Sequence, residues 1–523
     1  MRILISSILA IFFIIKGFCQ VGIGTQNPNP SAQLDVTSSN KGFLPPRMTS
    51  VERDAISNPE PGLMIFNTTT QGLEIFTVYG WFGIQNQLPE RKLLGGNRDE
   101  YPFSIQQTSD GGFIVAGSTY SSANGDVTGT KYGSPGTSDY WIVKLDAYRN
   151  ITWNKLLGGI GHDVCQSIQQ TSDGGYIVGG YSSSSANGDV SGTTHGALGS
   201  NDYWIVKLDD LGRILWEKLI GGSGEDIAYS IEQPTDGGFI VAGYSNSPGD
   251  GNVTGPNMGG FDYWIVKLDL DGNIEWNKLI GGNLDEKAHS IQHTTDGGYI
   301  VAGISSSSTS GHVTGTNHGL GTSTLIEYWI VKLDERGSIL WNKLLGGSRN
   351  DEAKSIQQTS DDGYIVGGYS TSNASGDVTG TLHGTLLPDY WIVKLDRFGT
   401  IIWNKLIGGN NDEYASSVKQ TSEGGFIVAG YSNSSFSGDV TETNHGVSDY
   451  WIVKLDAAGN ISWNRLIGGN RTDYASSIMQ TSDGGFIVAG FSNSSFNGDV
   501  TGTNHSTFFD YWIIKLSSTG YLF

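Results

Sequence analysis

The chain has 523 residues, enough for more than one domain. Its 76 glycines, 13 prolines and 11% aromatic residues describe a turn-rich β protein and exclude collagen-like and disordered classes. A net charge of −21 with no basic run excludes a nucleic-acid binder and favours solubility and cation association.

The N-terminus reads as a signal peptide over residues 1–19. Arg2 precedes an apolar run at 3–15, and Gly17 and Cys19 sit at the −3 and −1 positions of a cleavage before Gln20. Lys16 ends the run, which is too short to cross a bilayer. The expectation is an exported protein, periplasmic, cell-surface or extracellular, with no transmembrane segment after cleavage. Cys165 is then the sole cysteine, so packing and not a disulfide must hold the fold. Residues 20–87 form an accessory or linker region. A short helix is expected near Ser50–Ile56 and a hairpin around Thr69–Gly72.

Residues 88–523 repeat. A Lys-Leu-(Leu/Ile)-Gly-Gly segment or its variant begins at Lys92, Lys155, Lys218, Lys278, Lys343, Lys405 and Arg465, a period of about 62 residues. Each unit carries four strand signals. In the first unit these are strand a (Ser104–Gln107), strand b (Phe113–Gly117), strand c (Tyr140–Asp146) and strand d (Ile151–Leu157). Strand c is apolar on both faces, as stacked sheets require: Trp141, Val143 and Leu145 alternate with Tyr140 and Ile142. An Asp-Gly turn, as at Asp110, joins a to b, with positive φ expected at both central residues. Asp-x-x-Gly joins c to d, with Gly212, Gly272, Gly337, Gly399, Gly459 and Gly520 left-handed and Arg149 in their place in the first unit.

These units predict an all-β, seven-bladed β-propeller of four-stranded blades. Residues 88–94 supply a spare strand d that completes the last blade and removes the open sheet edges. Of 14 tryptophans, 13 fall at two stations, one in strand c and one in strand d, which points to packing between blades. The recurring strand-a serine, Ser104 and its equivalents, reads as a small residue for a crowded centre.

The leading segments VGIGTQNPNPSAQLDV, KGFLPPRMTSVERDAI and GLMIFNTTT resemble the leader of exported Bacteroidota proteins. The pattern QTSDGGFIVAG, GDVTGTNHG and DYWIVKLD resembles a family of secreted bacterial β-propeller repeat proteins. That resemblance implies a propeller and export, and no defined activity.

Strand alternation places the d–a and b–c loops on one face and the tight a–b and c–d turns on the other. The loop face carries the candidate binding residues. One set lies in the d–a loops: Asp99, Asp163, Asp226, Asp285, Asp351, Asp412 and Asp473, several beside a second acid. The other lies in the b–c loops: Asp126, Asp189, Asp377, Asp439 and Asp499, often followed by a histidine such as His195 or His505. Calcium is the cofactor such oxygen ligands would take, against a plainer reading in which they cap glycine-rich turns. No nucleophile elbow, zinc-protease, phosphate-loop or dinucleotide motif occurs. The leading expectation is a non-enzymatic binding or scaffold module presenting its long b–c loops to a polysaccharide, surface polymer or cell-surface protein. The alternatives are a glycan lyase or hydrolase using a carboxylate pair on that face, and a structural envelope spacer without a ligand.

Overall fold

The computed structural model describes residues 21–23, 25, 27, 34–40, 42–69, 72–77, 80–84, 92–197, 199–319 and 325–522. The expected signal peptide lies outside the described residues. Two compact units divide at Leu88/Pro89.

In the first unit, Thr49 caps a helix at Ser50–Asp54. Its hydroxyl accepts from the Glu52 backbone, and the Glu52 carboxylate accepts in return from the Thr49 N–H. Strand Met64–Asn67 pairs antiparallel with Gly72–Thr77, which pairs with Gly80–Ile84.

The second unit is an all-β repeat of the β-propeller kind. Seven four-stranded antiparallel sheets lie within residues 92–516. In the first, strand a is Glu100–Gln107, b is Phe113–Thr119, c is Asp139–Leu145 and d is Ile151–Leu157. Strand a thus begins four residues earlier than its apolar signal suggests. The last sheet takes its fourth strand from Lys92–Leu94, with Trp512 opposite Leu93.

Strand c builds the core. Trp141, Val143 and Leu145 pack against the last sheet, while Tyr140 and Ile142 pack against the second. The Tyr140 ring lies 4.6 Å from the Trp204 ring, and its hydroxyl donates to the Trp204 carbonyl at 2.9 Å. The same hydroxyl bond runs from sheet to sheet, and Tyr511 of the last sheet donates to the Trp141 carbonyl of the first at 3.1 Å. Such ring pairs add about 0.5–1.5 kcal/mol beyond the area they bury.

The turns differ in one respect from expectation. At Thr108–Gly112 only Gly111 takes positive φ, at +81°. The Asp110 carboxylate accepts from the Gly112 N–H at 3.0 Å and from Lys144 Nζ at 2.8 Å, which holds a wider turn than a two-residue hairpin. The c–d turns are as expected: Gly212 takes φ +72° and Arg149 +67°. A Cβ on Gly212 would also come within 2.9 Å of the Trp153 ring of the preceding sheet.

Candidate functional site

The b–c loop end of the sheets is built on buried acids. Gly-Gly after strand d leaves two backbone N–H groups to satisfy. At the start of the first sheet, Glu100 accepts from the Gly96 N–H at 2.9 Å, and Asp126 of the b–c loop accepts from the Gly95 N–H at 3.2 Å. The arrangement recurs: Asp163 accepts from Gly159, and Asp189 from Gly158. Where the loop aspartate is replaced, the acceptor survives, as Asn252 for Gly221 and His312 for Gly281. Asp377, Asp439 and Asp499 do the same for Gly346, Gly408 and Gly468.

Asp163, Asp226, Asp351 and Asp473 are therefore corrected from open-loop residues to the first residues of strand a, each fully buried. Their equivalents Glu100, Glu286 and Glu413 are buried as well. Asp99, Asp285 and Asp412 lie one residue earlier and are half-buried. The reason is the strand's early start: an acid that reads as loop is the first rung of the inner strand.

Each buried acid faces another from strand c of the preceding sheet. An imagined Cβ on Gly95 would lie 2.3 Å from Asp510 Oδ1 and 2.6 Å from Glu100 Oε2. Only glycine fits between them. Asp139 meets Asp163 in the same way over Gly158, and Asp262 meets Glu286 over Gly281. Among the described residues, Asp139 Oδ1 and Oδ2 and the Oδ1 atoms of Asp202, Asp262, Asp389, Asp449 and Asp510 are buried without a hydrogen-bond partner. Burial, reinforced by the facing Asp163, pushes the Asp139 carboxyl up to about 8. Burial likewise raises Glu100, Asp262, Asp351 and Glu413 to about 7.

The loop histidines clasp these pairs from outside. His505 Nδ1 lies 2.7 Å from Asp510, and its Nε2 lies 3.4 Å from Asp126 of the first sheet. His383 spans Asp389 and Asp439 likewise. Among the described residues no group of three or more His, Cys, Asp or Glu is arranged to hold a metal ion.

The repeats differ from one another chiefly on strand a. Its ladder skips one residue in every sheet, between Pro102 and Ser104 in the first and between Ala228 and Ser230 in the third. Bulges re-aim a side chain. The skipped residue varies: Phe103, Gln166, Tyr229, His289, Lys354, and serine in the last two sheets. The second residue of the strand varies with it, from Tyr101 to Lys287 to Glu352 to Tyr414.

The second residues meet aromatic rings of strand b. Tyr369, Tyr414, Tyr431 and Tyr474 follow one another with ring centroids 4.6, 5.2 and 4.0 Å apart. The arc continues through Phe491 to Tyr101, at 5.2 and 5.1 Å. At its end Glu352 accepts from the Tyr369 hydroxyl at 2.6 Å, pairs with Lys354, and lies 3.7 Å from His289 Nε2. Burial holds His289 down to about 4, so its imidazole is neutral. Tyr101, Tyr414 and Tyr474 depart from the repeat on strand a, whereas Tyr369 and Tyr431 fill a strand-b station that Tyr181 and Tyr244 share. The ladder sets Glu352 opposite Tyr369, Tyr414 opposite Tyr431 and Tyr474 opposite Phe491, and the bulged His289 and Lys354 join at Glu352. On the loop crests Phe436 and Phe496 stand about 70% exposed, at 70% and 71%.

Residues 22–96 match a family model described as a phage tail like trimerisation region. The chain is 23% identical over 362 residues to the uncharacterized WD repeat-containing protein L264 of Acanthamoeba polyphaga mimivirus, covering 56% of this chain and 26% of that one. It spans about a quarter of the length of the curated relatives it matches, 26% in each case. Among solved structures it is similar to the Neurospora crassa Pan2 WD40 domain, at 11% identity and TM-score 0.42, covering 82% of this chain and 91% of that one. It is also similar to Kuenenia stuttgartiensis hydrazine synthase, at 12% identity and TM-score 0.45, covering 78% and 96%.

Proposed function

We propose that residues 92–522 close into a ring of seven blades, and that the ring is an exported, non-enzymatic binding module whose loop face takes a neutral polysaccharide. The aromatic arc from Tyr369 to Tyr101 carries this reading. A scaffold that repeats its core almost unchanged gains nothing structural by placing Tyr101, Tyr414 and Tyr474 at one station of strand a, beside the recurring aromatic station of strand b. Apolar rings with hydroxyl edges suit the faces and hydroxyls of a sugar chain. A chain of net charge −21 disfavours an anionic polymer. The absence of an enzyme motif and the occupation of the paired acids in structural hydrogen bonds favour binding over turnover.

The test is a titration of the chain against neutral and acidic polysaccharides, with Tyr414→Ala/Tyr474→Ala as the variant. One neutral class should bind saturably, and the double variant should lose about tenfold or more in affinity while still melting cooperatively above the assay temperature. Binding that ignores the variant, or capture of a protein alone, would overturn the glycan reading.

Residues 22–96 we read as the part that gathers three copies, on the strength of the family match. Linked copies would raise avidity without new contacts. Light scattering should return three chain masses, and a single chain mass would sink this reading.

A further inference from the structure

The inner strands are stitched to one another around a central cavity. Ser167 Oγ accepts from the Ile231 N–H at 3.3 Å, and Ser230 Oγ from Ile291 at 3.3 Å, in the next sheet each time. Two residues on, and so on the same face of strand a, a second ring of stitches follows. Gln106, Gln169, Gln292 and Gln357 each accept through Oε1 from a backbone N–H of the next inner strand, at 2.5–2.6 Å. An amide used this way leaves its NH2 group as a donor. All four line a cavity of about 490 Å³.

Three sheets depart from glutamine at this station. Met479 keeps a weak stitch, its Sδ accepting from the Gln107 N–H at 3.0 Å. Glu232 keeps the stitch too, through Oε2 to the His293 N–H at 2.7 Å, and brings a negative charge. Lys419 cannot accept at all, and among the described residues it makes no hydrogen bond or ion pair. Glu232 and Lys419 belong to the third and sixth sheets, both line the cavity, and each feels the other's charge without a contact between them. Burial drives the Lys419 ammonium down and the Glu232 carboxyl up to about 7, so each charge is held at a cost the scaffold does not require. Glutamine serves the fold in four sheets at the same place.

We propose that the cavity is a binding site for a small zwitterion, its carboxylate held by Lys419 and the glutamine NH2 groups and its ammonium by Glu232. The site lies at the a–b turn end of strand a, so it does not rest on the loop-face reading. A bare anion would leave Glu232 unanswered, and a neutral sugar would leave both charges so.

The test is calorimetric titration of the full chain at pH 7 with each of the twenty standard amino acids, and with acetate, methylammonium and glucose. At least one amino acid should bind saturably, with acetate and methylammonium each weaker by about tenfold or more. Lys419→Gln and Glu232→Gln install the residue four other sheets carry, so folding is preserved, and melting temperature checks it. Each should weaken amino-acid binding by about 10–100-fold. The proposal is overturned if no amino acid binds, if glucose competes with the amino acid, or if binding survives both variants.

Discussion

Arg149 occupies a left-handed position, φ +67°, that glycine fills in the other c–d turns. A side chain there costs about 1–2 kcal/mol. The residue is also only 8% exposed, with its Nε unpartnered, and burial pulls its pKa below the ordinary arginine value. The first unit tolerates the side chain because the strand before it, Lys92–Leu94, brings no tryptophan, whereas Gly212 sits under Trp153. Arg149→Gly should therefore stabilise the protein by about 1 kcal/mol, read as a higher denaturant midpoint. A lower midpoint would show that the arginine stem's packing outweighs the backbone strain. The left-handed turn station was legible from Asp-x-x-Gly spacing alone. The partners of the acids were not. Glu100 and Asp510 stand far apart in sequence, and nothing local says that a glycine sits between two carboxylates.

At the level of elements, strands b and c were readable because burial on both faces leaves apolar runs, as in Phe113–Ala116 and Tyr140–Val143. Strand d, only partly buried, was readable from its repeated tryptophan and Lys-Leu ending. Strand a was only half legible. Its first residues are an acid and a variable side chain, a loop signature, yet Asp163 pairs with Ser182 in the ladder. The bulge compounds this. A skipped residue is defined by its partner strand, so a chain read alone cannot show that Tyr229 or His289 leaves the ladder. That one irregularity separates two roles on a single strand. Serine and glutamine stitch inner strand to inner strand, while bulged and second residues are free to differ. The candidate acids therefore lie at the end of the molecule their spacing predicts, one layer further in than a loop position implies. Of the tyrosine arc, Tyr101, Tyr414 and Tyr474 lay in view as departures from the repeat and Tyr369 and Tyr431 as part of it, and its continuity is a property of the sheets' arrangement.

Across the whole molecule the facing carboxyls set a pH dependence. Folding raises Asp139 to about 8, Glu100, Asp262, Asp351 and Glu413 to about 7, and Asp226 and Asp473 to about 6. An unfolded carboxyl titrates near 4. The folded state thus binds more protons between about pH 4 and 8, and stability falls as pH rises through that window. The histidines add the same sign: hydrogen bonds to Asp389 and Asp510 raise His383 and His505, whose contribution is also lost as pH rises. The a–b turn acids act oppositely. Lys144 and the turn's hydrogen bonds overcome burial to hold Asp110 down to about 2, a contribution lost only in strong acid. The melting temperature should therefore peak near pH 5 and decline toward pH 8.5. Asp139→Asn separates the cause. Its amide can donate to Asp163, so the variant should match the parent near pH 5 and exceed it near pH 8.5. A calcium ion held between the pairs demands the reverse profile, with stability rising with pH and collapsing in EDTA. That outcome would replace shared protons by metal at every sheet boundary.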